Sequence, residues 1–352
     1  MRVWKAAAAA GLLGLLATTA TLPGGTASAA TSGPDVRVGS FNILTVSADK
    51  TASGERKSWK VRRAAIVSQV TGQDLDVLGV QEANQRTYWA DHLVDGRTQY
   101  LDLRNGLNAA GGSFALTSTA PFNCRNAWSE RKCTYQNRAA SGDNRILYNT
   151  ETLSVVGRGA YRYRHQDTRI GVAYLAWARL RVRATGQTFL FGTTHLAPGN
   201  ETVRVAQWQE LIARVNSLKG GNPVVLTGDF NTMKYSKSAR TLLPAMVSNG
   251  YGDALGQHYA TNGTVPRPTT LDHVWINSLN RFDRDVRNWS YEQDRGNTRD
   301  PNTGNGIDWI FASNDLTIPR YSVVVTMDEP TLRLTGTIPS DHCLVTATVR
   351  LR

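Results

Sequence analysis

The stretch Val224-Val225-Leu226-Thr227-Gly228-Asp229-Phe230-Asn231 decides how the chain is read. Its apolar start forms a strand too short to be anything but buried, and Thr227-Gly228 ends it. Alternation at the strand end sends Asp229 and Asn231 to one side and returns Phe230 to the core. A carboxylate and a neutral amide so placed suit a phosphate and its metal ion. Gly, Asp and Asn are also ordinary turn residues, so this stretch alone leaves a surface turn equally open.

The same pattern recurs outward from it. Val36–Asn42 alternates and ends on Asn42, Asp76–Glu82 ends on an acid, and Thr188–Thr194 runs into His195. Asp308 interrupts the apolar run Ile307–Phe311, and Ser340-Asp341-His342 precedes the last strand, Cys343–Leu351. Arg145–Asn149, Leu153–Val156 and Tyr321–Met327 read as further strands, and Tyr174–Val182 forms a hairpin with Thr188–Thr194 around Ala184–Gln187. Helices are expected over Trp59–Val70, capped by Ser58, over Thr202–Leu218, closed by Gly220-Gly221, and over Ser238–Val247. In the first, Val61, Ala65, Ile66 and Val70 make the apolar face and basic residues the other. Ala83–Asp143 is rich in Gly and Asn, with one helix expected near Tyr88–Leu93, and 256–306 reads as mostly irregular.

Arg2 and Lys5, the apolar run Ala6–Ala20 and the small residues Thr26–Ala30 read as a secretory signal over residues 1–29, leaving a single domain over 30–352. The expected localisation is therefore secreted, extracellular. Removing Arg2 and Lys5 takes the formal charge from +12 to +10, which favours polyanionic partners. Of the 3 cysteines, Cys124 and Cys133 lie in loop-like sequence where export permits a disulfide, and Cys343 reads as a buried free thiol.

Asn42, Glu82, His195, Asp229, Asn231, Asp308, Asp341 and His342 all stand at strand ends, where open sheets place their sites. Each alone has a bland explanation, but an acid inside an apolar strand, as at Asp308, is costly unless paired. Glu82 and Asp341 are hard oxygen ligands and Asn42 a neutral one, the sparse set that suits Mg²⁺. Two histidines with acids to orient them supply acid–base groups near neutral pH. No His/Cys cluster has zinc spacing, no G-x-S-x-G elbow marks a serine hydrolase, and no Walker-type loop is present. Together these are the parts that phosphodiester hydrolysis needs.

The series Ser40-Phe41-Asn42, Val80-Gln81-Glu82, Thr194-His195-Leu196, Thr227–Asn231, Ile307-Asp308-Trp309-Ile310 and Ser340-Asp341-His342 resembles the endonuclease/exonuclease/phosphatase family, in its order and over nearly the whole mature chain. The resemblance implies an α/β (α+β) fold: a four-layer sandwich of two face-to-face β-sheets flanked by helices. It also implies Mg²⁺- or Mn²⁺-dependent phosphoester cleavage by in-line attack of water. On that basis Glu82 is the principal metal ligand, with Asn42 and Asp341 beside it. Asp229 and Asn231 orient the water and a phosphate oxygen, Asp308 orients His342, and His195 is the other catalytic histidine. Asn42 also lies toward the substrate phosphate. Asp143 is the nearest acid by order to partner His195, and Arg145 and Arg169 are the alternatives for a phosphate-contacting arginine.

The leading expectation for substrate is nucleic acid, DNA before RNA, without sequence preference. The alternative keeps the site and takes a phospholipid head group or small phosphoester, with Trp275, Trp289 and Tyr291 as membrane-facing aromatics. A binding module that has lost the chemistry is the third reading, and no protein partner is implied.

Overall fold

The computed structural model describes residues 33–84, 98–118, 141–167, 172–256, 268, 270–290 and 304–352. These belong to one compact unit, Ser32–Arg352. The signal segment, the helix expected near Tyr88–Leu93, Cys124, Cys133, Arg169 and Tyr291 lie outside the described residues.

Seven strands form one sheet in the order β10 (Thr270–Asp272), β12 (Thr317–Val324), β15 (Leu344–Arg350), β1 (Asp35–Asn42), β2 (Val77–Gln81), β4 (Arg145–Asn149), β3 (Phe114–Leu116). Six form the other: β5 (Leu153–Arg162), β6 (Tyr174–Val182), β7 (Thr188–His195), β8 (Val224–Asp229), β11 (Asp308–Ser313), β9 (Tyr251–Asp253). A small hairpin, β13 (Met327–Asp328) with β14 (Arg333–Leu334), stands apart from both.

Each sheet has at its centre a parallel pair with a helix between its strands in sequence, and β10 also runs parallel to β12 at one edge of the seven-stranded sheet. β1 pairs with β2 across α1 (Trp59–Thr71), and β7 pairs with β8 across α3 (Glu201–Lys219). Such crossovers bring two carboxyl ends to the same sheet edge, and both sheets are flanked there by antiparallel neighbours.

The apolar residues sort into three layers. Val38, Ala176, Ala178, Phe191, Ile310 and Ala347 belong to the core between the sheets. Trp208, Leu211, Phe230, Trp309 and Met246 join the outer face of the six-stranded sheet to α3 and α4 (Lys237–Ser248). Trp59, Ile66, Tyr100 and Leu103 cover the outer face of the seven-stranded sheet from α1 and α2 (Gln99–Ala109). The fold is thus the four-layer α/β sandwich expected. At its centre the sheets come very close, because a Cβ on Gly79 would lie 2.4 Å from the hydroxyls of both Thr193 and Thr227.

The structure departs from several local expectations. On α1, Val61 is 46% exposed and Arg62 takes the buried place with Ile66 and Val70. The Ser58 side chain makes no capping bond; the Asp49 carboxylate accepts the Trp59 N–H instead, at 2.9 and 3.0 Å. The Gly- and Asn-rich stretch Ala83–Asp143 supplies α2, whose Asn and Gly content lowers its helix propensity but whose Thr98 cap accepts the Leu101 N–H. β5 runs to Arg162, well past the expected Val156. The irregular region holds β10 and a single helical turn, α5 (Arg287–Ser290). Cys343 is buried and free, as its apolar setting suggests.

Candidate active site

The carboxyl ends of the two central parallel pairs, β1 with β2 and β7 with β8, open on the same edge of the sandwich, and the polar strand-end residues gather there. Asn42 ends β1, Glu82 follows β2, and His195 and Asp229 end β7 and β8. Asp308 starts β11, while Asp341 and His342 come just before β15. Glu82, at φ +57°, and Asn231, two residues after Asp229 and at φ +48°, hold left-handed backbone. Such conformations cost energy and persist where the surroundings over-determine them, often at functional sites. Gly228 lets β8 approach β7: a Cβ there would lie 2.2 Å from the Thr194 carbonyl oxygen.

Asp229 is the hub. Its Oδ2 accepts a hydrogen bond from Asn42 Nδ2 at 3.1 Å and lies 3.5 Å from His195 Nε2 and 3.6 Å from His342 Nε2. Its Oδ1 accepts the Asn231 N–H at 2.8 Å, which fixes the carboxylate's rotation. Asn231 in turn donates through Nδ2 to the Leu196 carbonyl at 2.8 Å, so the amide ties the ends of β7 and β8 together. Asn42 Nδ2 also reaches Glu82 Oε1 at 3.1 Å, linking the two sheets through one amide. His342 Nδ1 lies 2.8 Å from Asp308 Oδ2, a charge-assisted hydrogen bond. Among the described residues, Asp229, Asp308 and His342 offer ligand atoms within 4.8 Å of one another.

Electrostatics follow from burial. Burial alone would raise the Glu82 pKa, but nearby His195, the Thr45 N–H and the Asn42 amide overcome it and lower it. Asp229 goes the other way: burial raises its pKa, and neighbouring Asp308 adds to that, more than the histidines take back. Asp341 is also raised, by burial and then by the charge of Glu82. Burial would lower His342, yet Asp308 and Asp229 raise it to about 10.

A second layer of residues escaped the sequence reading. Arg62 is fully buried and donates to four carbonyls: Ile43 and Leu44 after β1, Pro339 before Asp341, and Lys57. It therefore ties the loop beyond Asn42 to the loop that carries Asp341 and His342. Gln99 accepts the Val46 and Asn84 N–H groups and donates to the Leu44 carbonyl, which ties the loop after Asn42 to the backbone just after Glu82. Gln207 accepts the Ala197 N–H and donates to the His165 carbonyl. The only signal for Arg62 was its spacing: with Ile66 and Val70 it completes an i, i+4, i+8 stripe.

Other expectations are redirected. Arg145 is 1% exposed, its guanidinium 4.1 Å from the Tyr100 ring centre, so it is packed inside the fold rather than held out toward a phosphate. The Asp143 carbonyl accepts the Ala83 N–H, which places its backbone next to the residue after Glu82. Trp275 and Trp289 are buried in the inter-sheet core, filling space and not facing a membrane. Below the site, Lys234 and Asp253 form a buried ion pair at 3.0 Å, with the ammonium 4.3 Å from the Trp309 ring centre.

Residues 39–342 match the model of the Endonuclease/Exonuclease/phosphatase family, and the chain belongs to that family of phosphoester hydrolases. It is 27% identical over 231 residues to Nocturnin of Drosophila melanogaster, an alignment covering 61% of this chain. The chain spans about a third, 32%, of that relative's length. Its fold is similar to the mannosyl-6-phosphatase of Bacteroides thetaiotaomicron, at TM-score 0.60 and 19% identity, covering 89% of this chain and 99% of that one. It is also similar to D. rerio TDP2 complexed with a single-strand DNA product, at TM-score 0.53 and 15% identity, covering 90% and 99%.

Proposed function

We propose that the chain is a secreted, divalent-metal-dependent phosphodiesterase that hydrolyses nucleic acid, DNA foremost, with little sequence preference. The observation that carries the chemistry is Asp229 Oδ2 standing 3.5 and 3.6 Å from two histidines, with Asn42 joining it to Glu82.

Glu82 and Asp341 would hold the metal, with Asn42 beside them. Burial first, and then the charge of Glu82, push up the pKa of Asp341, an unfavourable setting for its anion that a cation relieves. Asn42 Oδ1 accepts the Leu44 N–H and keeps a second lone pair for such a role. Between Asp229 and Asp308 the His342 ring already stands, Nδ1 on Asp308 Oδ2 and Nε2 3.6 Å from Asp229 Oδ2, while Asp308 Oδ1 has no hydrogen-bond partner among the described residues. Bound Mg²⁺ or Mn²⁺ supplies phosphate charge neutralisation and a more acidic water.

The chain's own residues do the rest. Asp229, its rotation set by the Asn231 N–H, orients the attacking water. His342, held by Asp308 through Nδ1, keeps a proton on Nε2 for a non-bridging phosphate oxygen. His195, whose side chain is 22% exposed against 6% for His342, faces the opening and protonates the leaving oxygen.

The net charge of +12, or +10 without the leader, favours a polyanion. The likeness in fold to TDP2 in complex with a single-strand DNA product supports the same class. Secretion rests on Arg2, Lys5 and the apolar run Ala6–Ala20.

The test is purified protein with Mg²⁺ against plasmid DNA, RNA, sphingomyelin vesicles and a small phosphomonoester. DNA cleavage that stops on chelation and in Glu82→Gln is the expected result. Activity confined to the phosphomonoester or the vesicles, or DNA cleavage that survives chelation, overturns it.

A further inference from the structure

Across the six-stranded sheet, one row of residues crosses the strands at the level of the site. Asp308 pairs with Asp229, and Asp229 pairs with His195. Leu175 pairs with Thr194, which sets Tyr174 beside His195, and Tyr174 pairs with Arg162 at the end of edge strand β5. Neighbouring strands lie about 4.8 Å apart, so Arg162 stands two strands, about 10 Å, from His195.

Parity puts Arg162 on the same face. Thr193 and Thr227 point inward at Gly79 of the opposite sheet, and His195 and Asp229 share their parity. Ala176 lies in the inter-sheet core and pairs with Ala160, so Tyr174 and Arg162, each two residues on, face inward as well.

Everything around Arg162 is tied down. The Tyr161 hydroxyl donates to Glu210 at 2.7 Å, and the Arg164 and His165 N–H groups donate to the same carboxylate at 2.7 and 3.0 Å. The Tyr163 hydroxyl meets Thr194 Oγ1 at 2.9 Å. Arg162 itself is exposed and makes no hydrogen bond or ion pair among the described residues. A charged residue on an edge strand also serves simply to block sheet-to-sheet aggregation, and Arg158, exposed on the same face of β5, does that equally well. Only Arg162 stands in the row of the site.

We propose that Arg162 binds a non-scissile phosphate of a phosphodiester chain lying along this row, so that the site prefers polymers to isolated phosphoesters. This rests on the nucleic-acid reading above. The scissile phosphate lies between Glu82 and Asp229, and the strand continues past His195 toward Arg162.

The test compares kcat/KM for a single-stranded DNA oligonucleotide with that for a dinucleotide, in the full chain with Mg²⁺ over a salt series. In Arg162→Ala the ratio falls about fivefold and the salt slope of oligonucleotide KM shrinks by about 0.7. Arg162→Lys keeps most of that slope, and Arg158→Ala keeps the wild-type ratio. Arg162→Ala matching either wild type or Arg158→Ala overturns the inference while leaving the proposed function standing. Wild-type protein that cleaves a phosphomonoester but neither nucleotide substrate overturns the proposed function itself, and this inference with it.

Discussion

The Asp308 carboxylate holds His342 Nδ1 at 2.8 Å, and Asp229 waits 3.6 Å from the same ring's other nitrogen. One acid therefore fixes the ring's orientation and leaves Nε2 to face the reaction. Replacing Asp308 with Asn preserves the shape and removes the charge that sets the ring. We expect Asp308→Asn to lower kcat by roughly 10²- to 10⁴-fold with a smaller change in KM, on the scale seen when an orienting acid is lost. Steady-state kinetics on plasmid DNA, with circular dichroism to confirm folding, decides it. Unchanged kcat would remove Asp308 from the mechanism.

The same acids make stability depend on pH. The folded pKa of His342 is raised to about 10 from an ordinary 6.5, so the folded state binds its proton more tightly than the unfolded chain. Its contribution is complete below pH 6.5 and is lost as pH rises toward 10. The metal-free protein should accordingly melt at steadily lower temperature across that window. His342→Gln should flatten the profile; a variant with the wild-type slope would rule the histidine out as its source.

The site was legible because its residues break simple patterns. Asn42, Glu82 and Asp229 close short buried strands and Asp308 opens one; the parallel pairs bring the first three together, and the antiparallel pairing of β11 with β8 adds Asp308. Arg62 was not legible, since a cation on an amphipathic helix reads as surface until its carbonyl partners are known. Those partners, Ile43 and Pro339, are remote in sequence. Arg145 misled in the opposite sense: it lies near Glu82 in the sheet, but burial turned its guanidinium onto Tyr100.

Arg62 can be tested directly. Burial lowers its pKa to about 10, which still leaves it cationic at neutral pH. Arg62→Met removes a buried charge but strands the Ile43, Leu44 and Pro339 carbonyls. The second effect should win, with a net loss of about 2–4 kcal/mol in urea unfolding. Mn²⁺ affinity should fall with it, because the loops carrying Asn42 and Asp341 lose their common tie. A variant as stable as wild type would show that water replaces the guanidinium.

The Lys234–Asp253 pair makes a contrasting case, because both ends are buried and each satisfies the other. Lys234→Met alone leaves Asp253 uncompensated and should cost about 3–5 kcal/mol. The double variant Lys234→Met with Asp253→Leu should recover part of that loss. A double variant no more stable than the single would mean that packing around Trp309, not charge, sets the cost.

Gly79 governs how closely the two sheets approach. A methyl group there would sit 2.4 Å from both Thr193 Oγ1 and Thr227 Oγ1, far inside contact distance. Both threonines are buried in the strands that end at His195 and Asp229, so neither can give way without moving the site. Thr193 Oγ1 also accepts a hydrogen bond from Gln81 Nε2 at 2.8 Å, one residue before Glu82. Gly79→Ala should therefore cost about 1–3 kcal/mol by overpacking and depress kcat as well, because Glu82 and Asp229 are pushed apart together. Urea unfolding and DNA cleavage on the same sample separate the two effects. Stability lost with kcat intact would mean that the strands yield behind the site rather than at it.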